Sequence, residues 1–223
     1  MIPARFCRIP KPLPYGDAVS LQQRLVRDRI ADRIPDTVLL LEHTPVVTLG
    51  RRGREEHLLA DPEQLRARGV EVHVSSRGGD VTYHGPGQWV LYPILKLGRG
   101  GLAPRGYLYA LEDIALGTAE AFGIEAHRRE GKAGGWCEGG KFAAIGFKLT
   151  RWVSQHGLSL NVNPEPFGFD LIVGCGLVGE RVTSFHRELG ARCPSMGEVG
   201  TELRRQASAA LGLRFTDADV EDL

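Results

Sequence analysis

The sequence predicts an α/β fold whose sheet is mixed or antiparallel and flanked by helices. Two observations predict it. Strand-like runs come in pairs adjacent in sequence, as in LLLEHTPVVTLG and in KFAAIGFKLTR followed by HGLSLNVN. A few helical segments fall between such pairs instead of after every strand. The 223 residues show no low-complexity linker and no internal repeat. Residues 1–223 are therefore expected to form a single domain, large enough to bury its own core.

YGDAVSLQQRLVRDRIADRI reads as a helix, with Asp17 or Ser20 as its cap. In DTVLLLEHTPVVTLG the β-branched and apolar run predicts a buried strand. Thr44-Pro45 then breaks it, and Val46 to Leu49 forms a second strand. DPEQLRARG is a short helix: Asp61 caps it, Pro62 fills the first turn and Gly69 ends it. VEVHVSS alternates with period two, the pattern of a half-buried strand. RGGDVTYHGPGQ is a glycine-rich loop, and WVLYPILKL a strand that Pro93 should bend or place at an edge.

PRGYLYALEDIALGTAEAFG is the strongest helix. Leu108, Leu111, Ile114, Ala115, Ala119 and Phe122 make one apolar stripe, and Gly123 terminates it. IEAHRRE, KFAAIGFKLTR and HGLSLNVN read as strands joined by glycine-rich turns, with GKAGGWCEGGK a loop between the first two. SMGEVGTELRRQASAALG is a final helix with Ser195 at its cap. The tail LRFTDADVEDL carries no motif and is expected to be poorly ordered.

Composition excludes several classes of function. The chain is 42% hydrophobic and 25% charged, with a formal net charge of +1. No global field therefore favours nucleic acid or an anionic membrane. No apolar run approaches membrane-spanning length, and MIPARFCRIPKPLPYG lacks the apolar core of a signal peptide. A cytoplasmic protein with reduced thiols is expected. The four cysteines, Cys7, Cys137, Cys175 and Cys193, form no C-x-x-C pair, and no histidines show ligand spacing. No metal site is expected.

The glycine-rich loop carries Gly78, Gly79, Gly85 and Gly87 around Thr82, Tyr83 and His84. Glycine lets backbone approach a ligand closely, so the loop suits a ligand cradle. It is neither a G-x-G-x-x-G fingerprint nor a phosphate loop ending in G-K-S/T. A tight turn holding a satisfied histidine is the alternative, and residue chemistry alone weighs the two evenly.

RGGDVTYHGPGQ resembles the signature of the octanoyl-acyl carrier protein:protein N-octanoyltransferases, also called the lipoyl(octanoyl) transferase family. LLLEHTPVVTLGR is similar to that family's leucine-glutamate-histidine strand. GGKFAAIGFKLTRWVSQHGLSLNVN is similar to its lysine-bearing segment, and LIVGCGLVGERVTS to its cysteine-bearing segment. Order and spacing agree, so the resemblance covers most of the chain. One departure is Gly174, which stands where the family usually has proline and loosens the backbone before the cysteine.

The resemblance implies a biotin/lipoate ligase-like α/β catalytic domain with a mixed sheet. It implies Cys175 as the residue that carries the acyl thioester and Lys141 as its partner. A thiolate is strongly nucleophilic, and a new thioester keeps the acyl group activated. The Lys141 ammonium would stabilise the thiolate and, after losing its proton, act as a base toward the acceptor. Phe142, Ala143, Ala144 and Ile145 offer an apolar setting that eases that loss.

The same resemblance assigns the substrate walls to Arg77, Gly78, Gly79, Asp80, Val81, Thr82, Tyr83 and His84, to Ala144, Ile145 and Gly146, and to Gly157, Leu158 and Ser159. Small and apolar residues suit a medium-length alkyl chain, whose burial contributes about 0.8 kcal/mol per methylene. Backbone N–H groups beside the glycines would stabilise the oxyanion. The implied donor is octanoyl-acyl carrier protein, with the octanoyl group on its phosphopantetheine. The implied acceptors are lysines on lipoyl domains of 2-oxoacid dehydrogenases and on the glycine cleavage H protein. No ATP, metal or bound cofactor is required, because the thioester is already activated. The docking surface for an acidic carrier protein should be basic, and Arg51, Arg52 and Arg54 are the candidate cluster.

Residue chemistry alone suggests other pairings. Cys137 lies closer to Lys141 in sequence, and a glycine-rich loop would expose it. A Cys175–His156 pair would resemble a cysteine hydrolase. The resemblance favours neither. It leaves His84 and His156 to shape the pocket, Cys7 and Cys193 as bystanders, and Lys132 and Lys148 as surface charges. His43, His57, His73, His127 and His186 carry no specific signal. The rival functions are an ATP-dependent lipoate or biotin ligase, a cysteine hydrolase, and a non-catalytic module that binds acyl chains or lipoyl domains.

Overall fold

Apolar β-rich runs fall where the sequence places them and assemble into two sheets. The computed structural model describes residues 1–98, 102–165, 167–172 and 180–223. The strands in chain order are β1 (Ile2–Arg8), β2 (Asp36–Leu41), β3 (Val46–Leu49), β4 (Glu71–Val74), β5 (Val81–His84), β6 (Gln88–Ile94), β7 (His127–Arg129), β8 (Lys132–Cys137), β9 (Gly140–Thr150), β10 (Val153–Asn161) and β11 (Leu213–Asp217). The helices are α1 (Tyr15–Ile30), α2 (Pro62–Ala67), α3 (Pro104–Ala121), α4 (Phe167–Asp170), α5 (Phe185–Leu189) and α6 (Met196–Leu211).

Among the described residues, the larger sheet runs β11-β1-β2-β6-β10-β9-β8-β7, and a second sheet runs β4-β3-β5. β1 pairs in parallel with both β11 and β2, whereas β2-β6, β6-β10, β10-β9 and β9-β8 are antiparallel. The mixed α/β sheet flanked by helices is thus the observed fold. One face of the large sheet packs Phe6, Leu40, Leu91, Leu158 and Leu160 against Leu111 and Ile114 of α3 and Leu203 of α6. The opposite face packs Leu39, Leu41, Val90 and Tyr92 against Ala18, Leu25 and Val26 of α1. A third cluster joins Val47, Val81 and Tyr83 of the small sheet to Leu65, Leu171 and Ile172.

The capping chemistry explains which helix boundaries were readable. Asp61 accepts from the N–H groups of Glu63 and Gln64 at the start of α2. Ser195 and Glu198 form a reciprocal capping box on α6, and Gly212 ends that helix in the left-handed conformation. α1 departs from expectation: it stops at Ile30, Pro14 precedes it, and neither Asp17 nor Ser20 caps it. Asp32 takes a φ of 53° just beyond it, and Arg29 bonds both Asp32 and Asp36, which turns the chain into β2. In α3 the buried stripe includes Tyr107 and Ala110, while Leu108 and Phe122 are only half-buried.

Four further expectations are corrected. Residues 81–84 are strand β5, because each pairs across to β3. GKAGGWCEGGK contains strand β8 and the turn into β9; its small residues disguise a buried strand. The tail forms β11, whose Leu213 is buried beside β1. β4 is a strand but not half-buried: it is the edge of the small sheet, and Val74 is 87% exposed.

Pro93 lies in a central strand, so of the bend and the edge expected for it the edge is excluded. The β6-β10 ladder runs from Asn161–Gln88 to Leu158–Leu91 and then stops. Beyond it, the Leu95 N–H turns to Ser154 Oγ at 3.0 Å. The missing proline N–H falls in this gap, so no ladder bond is lost. Gly157 makes the gap possible, since a Cβ there would stand 2.8 Å from Pro93 Cδ and 2.4 Å from Leu91 O.

Candidate active site

Lys141 opens β9 and is 7% exposed. Its backbone is held on both sides by the chain after residue 180: its N–H donates to Arg181 O at 2.8 Å, and its carbonyl accepts from Thr183 N–H at 3.0 Å. Its side chain reaches past Gly134 toward the Trp136 ring, with Nζ 5.4 Å from the ring centroid. It lines a cavity of about 130 Å³.

The loop before β5, the middle of β9 and the C-terminal half of β10 converge on that cavity. Arg77, Gly79, Asp80, Val81, Thr82 and His84 line it, as do Ala144, Ile145 and Gly146 and Gly157, Leu158 and Ser159. Two expected wall residues lie elsewhere. Gly78 donates its N–H to Phe147 O at 3.1 Å and ties the loop to β9 without lining the cavity. Tyr83 does not line it either: strand alternation sends its ring into the third cluster, against Phe169 at 5.7 Å between centroids. Burial pushes the Tyr83 phenol up to about 12.

Cys175 and Gly174 lie outside the described residues. On either side of them, Ile172 is bridged to Leu58, and Glu180 is paired with Arg129 and Lys132. Val182 bridges to Lys141. The other cysteines have settled positions. Cys137 is buried at 2% exposure, contrary to the exposed loop thiol expected of it, and burial raises its pKa. Burial also raises Cys7, to about 11, and Cys193. A raised thiol is a poor nucleophile at neutral pH.

Tyr15 from α1, Val90 and Tyr92 from β6 and Ala133 from β8 build a cavity floor that the sequence did not single out, while Lys132 from β8 also lines the cavity and Arg52 does so at its exposed rim. Behind them, His43 donates from Nδ1 to Leu13 O at 2.9 Å and accepts at Nε2 from the Tyr92 hydroxyl at 2.7 Å. The Tyr15 ring lies parallel to His84, 6.3 Å away between centroids. β6 is buried on both faces, so no hydropathic alternation marks Tyr92 as cavity-facing. Lys132 is more than a surface charge, since it pairs with Glu180 and reaches the cavity. Lys148 is half-buried, opposite Gln155.

His84 is held by a chain of amides. Its Nδ1 donates to Gln88 Oε1 at 2.6 Å, Gln88 Nε2 donates to Asn161 Oδ1 at 2.8 Å, and Asn161 Nδ2 donates to Thr183 O at 3.0 Å. The histidine and the glutamine of the TYHGPGQ motif are thereby one hydrogen-bonded unit. His156 lies within β10 and has a φ of 61°. Its N–H is taken by Gln22 Oε1 of α1 at 2.8 Å, and its Nε2 meets Ser76 Oγ at 3.3 Å.

Burial lowers His43 to about 4 and His156 to about 3, and holds His84 well below 6.5. Burial also raises Tyr15 and Tyr92. These walls are therefore neutral at neutral pH despite being built of titratable groups. Arg77, 8% exposed, adds a fixed positive charge, with its guanidinium bonded to Thr48 Oγ1 and O. Among the described residues, no group of three or more His, Cys, Asp or Glu is placed to hold a metal ion.

Residues 14–207 match the lipoyl protein ligase A/B catalytic domain. An octanoyltransferase of Chloroflexus aggregans is 46% identical over 209 residues, covering 92% of this chain and 94% of its own length. One from Syntrophotalea carbinolica is 48% identical over 178 residues, covering 80% and 81%. The chain belongs to the octanoyltransferase family. The fold is shared more widely among ligases. The bi-partite lipoate protein ligase of Thermoplasma acidophilum, studied with its E2 lipoyl domain, superposes with a TM-score of 0.75 at 13% identity, covering 99% of this chain and 88% of that one. A lipoate-protein ligase A bound with ATP superposes with a TM-score of 0.76 at 13% identity, covering 98% and 90%. At such identity the likeness shows the lipoate/biotin ligase-like fold alone. The family's members share an acyltransferase chemistry, and this chain is an acyltransferase.

Proposed function

We propose that the protein moves an octanoyl group from octanoyl-acyl carrier protein to a lysine of a lipoyl domain, through a thioester on Cys175. In the first step the Cys175 thiolate attacks the donor thioester, and the pantetheine thiol leaves. In the second, the acceptor lysine amine attacks the acyl-enzyme, an amide forms, and the Cys175 thiolate is released. Lys141 stabilises the thiolate as an ammonium, gives a proton to the leaving pantetheine sulfur in the first step, and as the neutral amine takes a proton from the attacking amine in the second. The loop and strand residues around the cavity hold the acyl chain.

The observation that carries this reading is the convergence of three separate segments of the octanoyltransferase signature around Lys141 in one cavity. The uncharged part of its floor, Tyr15, Val90, Tyr92 and Ala133, suits an alkyl chain. The donor surface is assigned to Arg51 and Arg52. Their N–H groups bond Arg77 O and Gly79 O at 3.0 Å, which pins both exposed residues to the cavity rim. Arg54 is engaged with Glu56 and contributes less. The acceptors are lipoyl domains of 2-oxoacid dehydrogenases and the glycine cleavage H protein, and the site of action is the cytoplasm. No helix among the described residues is long and apolar enough to cross a membrane. Neither ATP nor a metal enters the scheme.

Intact-protein mass spectrometry tests it. Wild type and Cys175→Ala are mixed with octanoyl-acyl carrier protein without ATP. One octanoyl adduct on wild type, absent from the variant and transferred to an added lipoyl domain, is expected. Modification of the lipoyl domain only when ATP and free octanoate are supplied would overturn the scheme in favour of an adenylating ligase.

A further inference from the structure

We propose that Trp136 is a positioning residue for Lys141, its indole face fixing where the lysine ammonium stands at the cavity edge. The proposal rests on the reading that Lys141 serves the acyl transfer. A lysine stem has four rotatable carbons and a strongly hydrated head, so burial of its backbone does not by itself place its nitrogen. Three features around Lys141 do.

The first is the indole itself. Trp136 is fully buried, its Nε1–H donates to Lys132 O at 3.0 Å, and the Lys141 Nζ stands 5.4 Å from its ring centroid. That lies within cation–π range, and a buried site strengthens the attraction. The second is Gly134, two residues earlier on the same strand. A Cβ there would come within 2.7 Å of Lys141 Cε, so the absent side chain is the path the lysine takes. The third is Arg129 of β7, whose guanidinium carbon lies 4.4 Å from the same ring centroid. Arg129 Nη1 donates to Glu180 Oε2 at 2.8 Å, and Lys132 pairs with the same carboxylate. The β7-β8 hairpin therefore holds Lys141 through its indole. Through two cations it holds Glu180, the first described residue after 173–179.

The charged groups around Lys141 are Arg52, Arg77, Asp80 and Lys132, which line the same cavity, Glu112, which accepts from the Gly134 N–H at 3.2 Å, and the Arg129–Glu180 pair on the hairpin side. Exchange of the ring keeps all of these charges but removes the face on which Arg129 also lies, and the Glu180 pair still holds Arg129. A ring face attracts an ammonium and not a neutral amine, so exchange of the ring is read in the pH profile of transfer.

The test is the pH profile of kcat/KM for octanoyl transfer in wild type, Trp136→Phe, Trp136→Leu and Lys141→Met, each checked for folding by thermal denaturation. Trp136→Leu is expected to lower transfer about tenfold and to move the alkaline limb to lower pH, while Trp136→Phe, which keeps a ring face, recovers most of both. Lys141→Met is expected to lose about a hundredfold or more. A wild-type profile in Trp136→Leu beside an inactive Lys141→Met would overturn the positioning role alone. Full activity in Lys141→Met would overturn the reading beneath it as well. Should Trp136→Leu fail to fold, mono-, di- and trifluorinated tryptophan at position 136 decides. Fluorine withdraws electron density from the ring and leaves its shape almost unchanged. A stepwise shift of the limb upholds the proposal, and a flat series overturns it.

Discussion

Around the cavity His43, His84 and His156 are each at most 5% exposed, and among the described residues none is hydrogen-bonded to a carboxylate that would hold a proton on it. Their folded-state pKa values lie below the ordinary 6.5, so the unfolded chain binds more protons than the native one as pH falls. The stability that they contribute is complete above about pH 6.5 and is lost as pH drops toward the values of about 4 and 3. Urea unfolding is expected to show this loss, on the order of 1 kcal/mol per pH unit for each histidine that stays neutral in the fold. Tyr92→Phe leaves His43 Nε2 without its donor and should cost about 1–3 kcal/mol in the same assay. At this scale the sequence was readable where chemistry has a signature. The glycine loop stood out by composition and Lys141 only through the resemblance of its segment, whereas His43, Tyr15 and Tyr92 did not, because each gains meaning only from partners tens of residues away. The same strand alternation that brought Thr82 and His84 to the cavity carried Tyr83 out of it.

The β8-β9 hairpin shows most sharply what a local segment must satisfy. Gly134 has a φ of 134°, and a Cβ would stand 2.3 Å from Ala143 O as well as against the lysine stem. Gly134→Ala is therefore expected to destabilise the protein by about 2–4 kcal/mol and to lower transfer with it. Gly123→Ala offers the contrast: its φ is 83°, but a Cβ there meets nothing within 4 Å, so a cost of about 1 kcal/mol without loss of transfer is expected. Chemical denaturation and a transfer assay on the two variants check both. Helix α6 should lose about 1 kcal/mol with Ser195→Ala, since its capping box would be broken. Capped helices were legible because a cap is written within four residues. β5 and β8 were not, because glycine and small polar residues read as loop until a neighbouring strand pairs with them.

Across the whole molecule, β11 closes the edge of the large sheet beside β1, and the C-terminus is tied back by Arg24, which donates to Leu223 O at 2.5 Å. Removing residues 213–223 would uncover β1 and expose the core around Leu213 and Leu211. A loss on the order of 3–5 kcal/mol is expected, with association through the opened edge visible by light scattering. The order of strands could be anticipated as mixed, but not as this sequence of neighbours: β1, the first strand, pairs with β11, the last, and no local pattern encodes that. One feature of the centre separates what is usually entangled. The peptide group of Lys141, not its side chain, grips Arg181 and Thr183. Any amino acid other than proline can keep those two bonds, so exchanges at position 141 are expected to change the side chain at the cavity and leave the chain after residue 180 anchored. Chemical rescue by added small amines, tried on Lys141→Ala, then becomes an interpretable experiment.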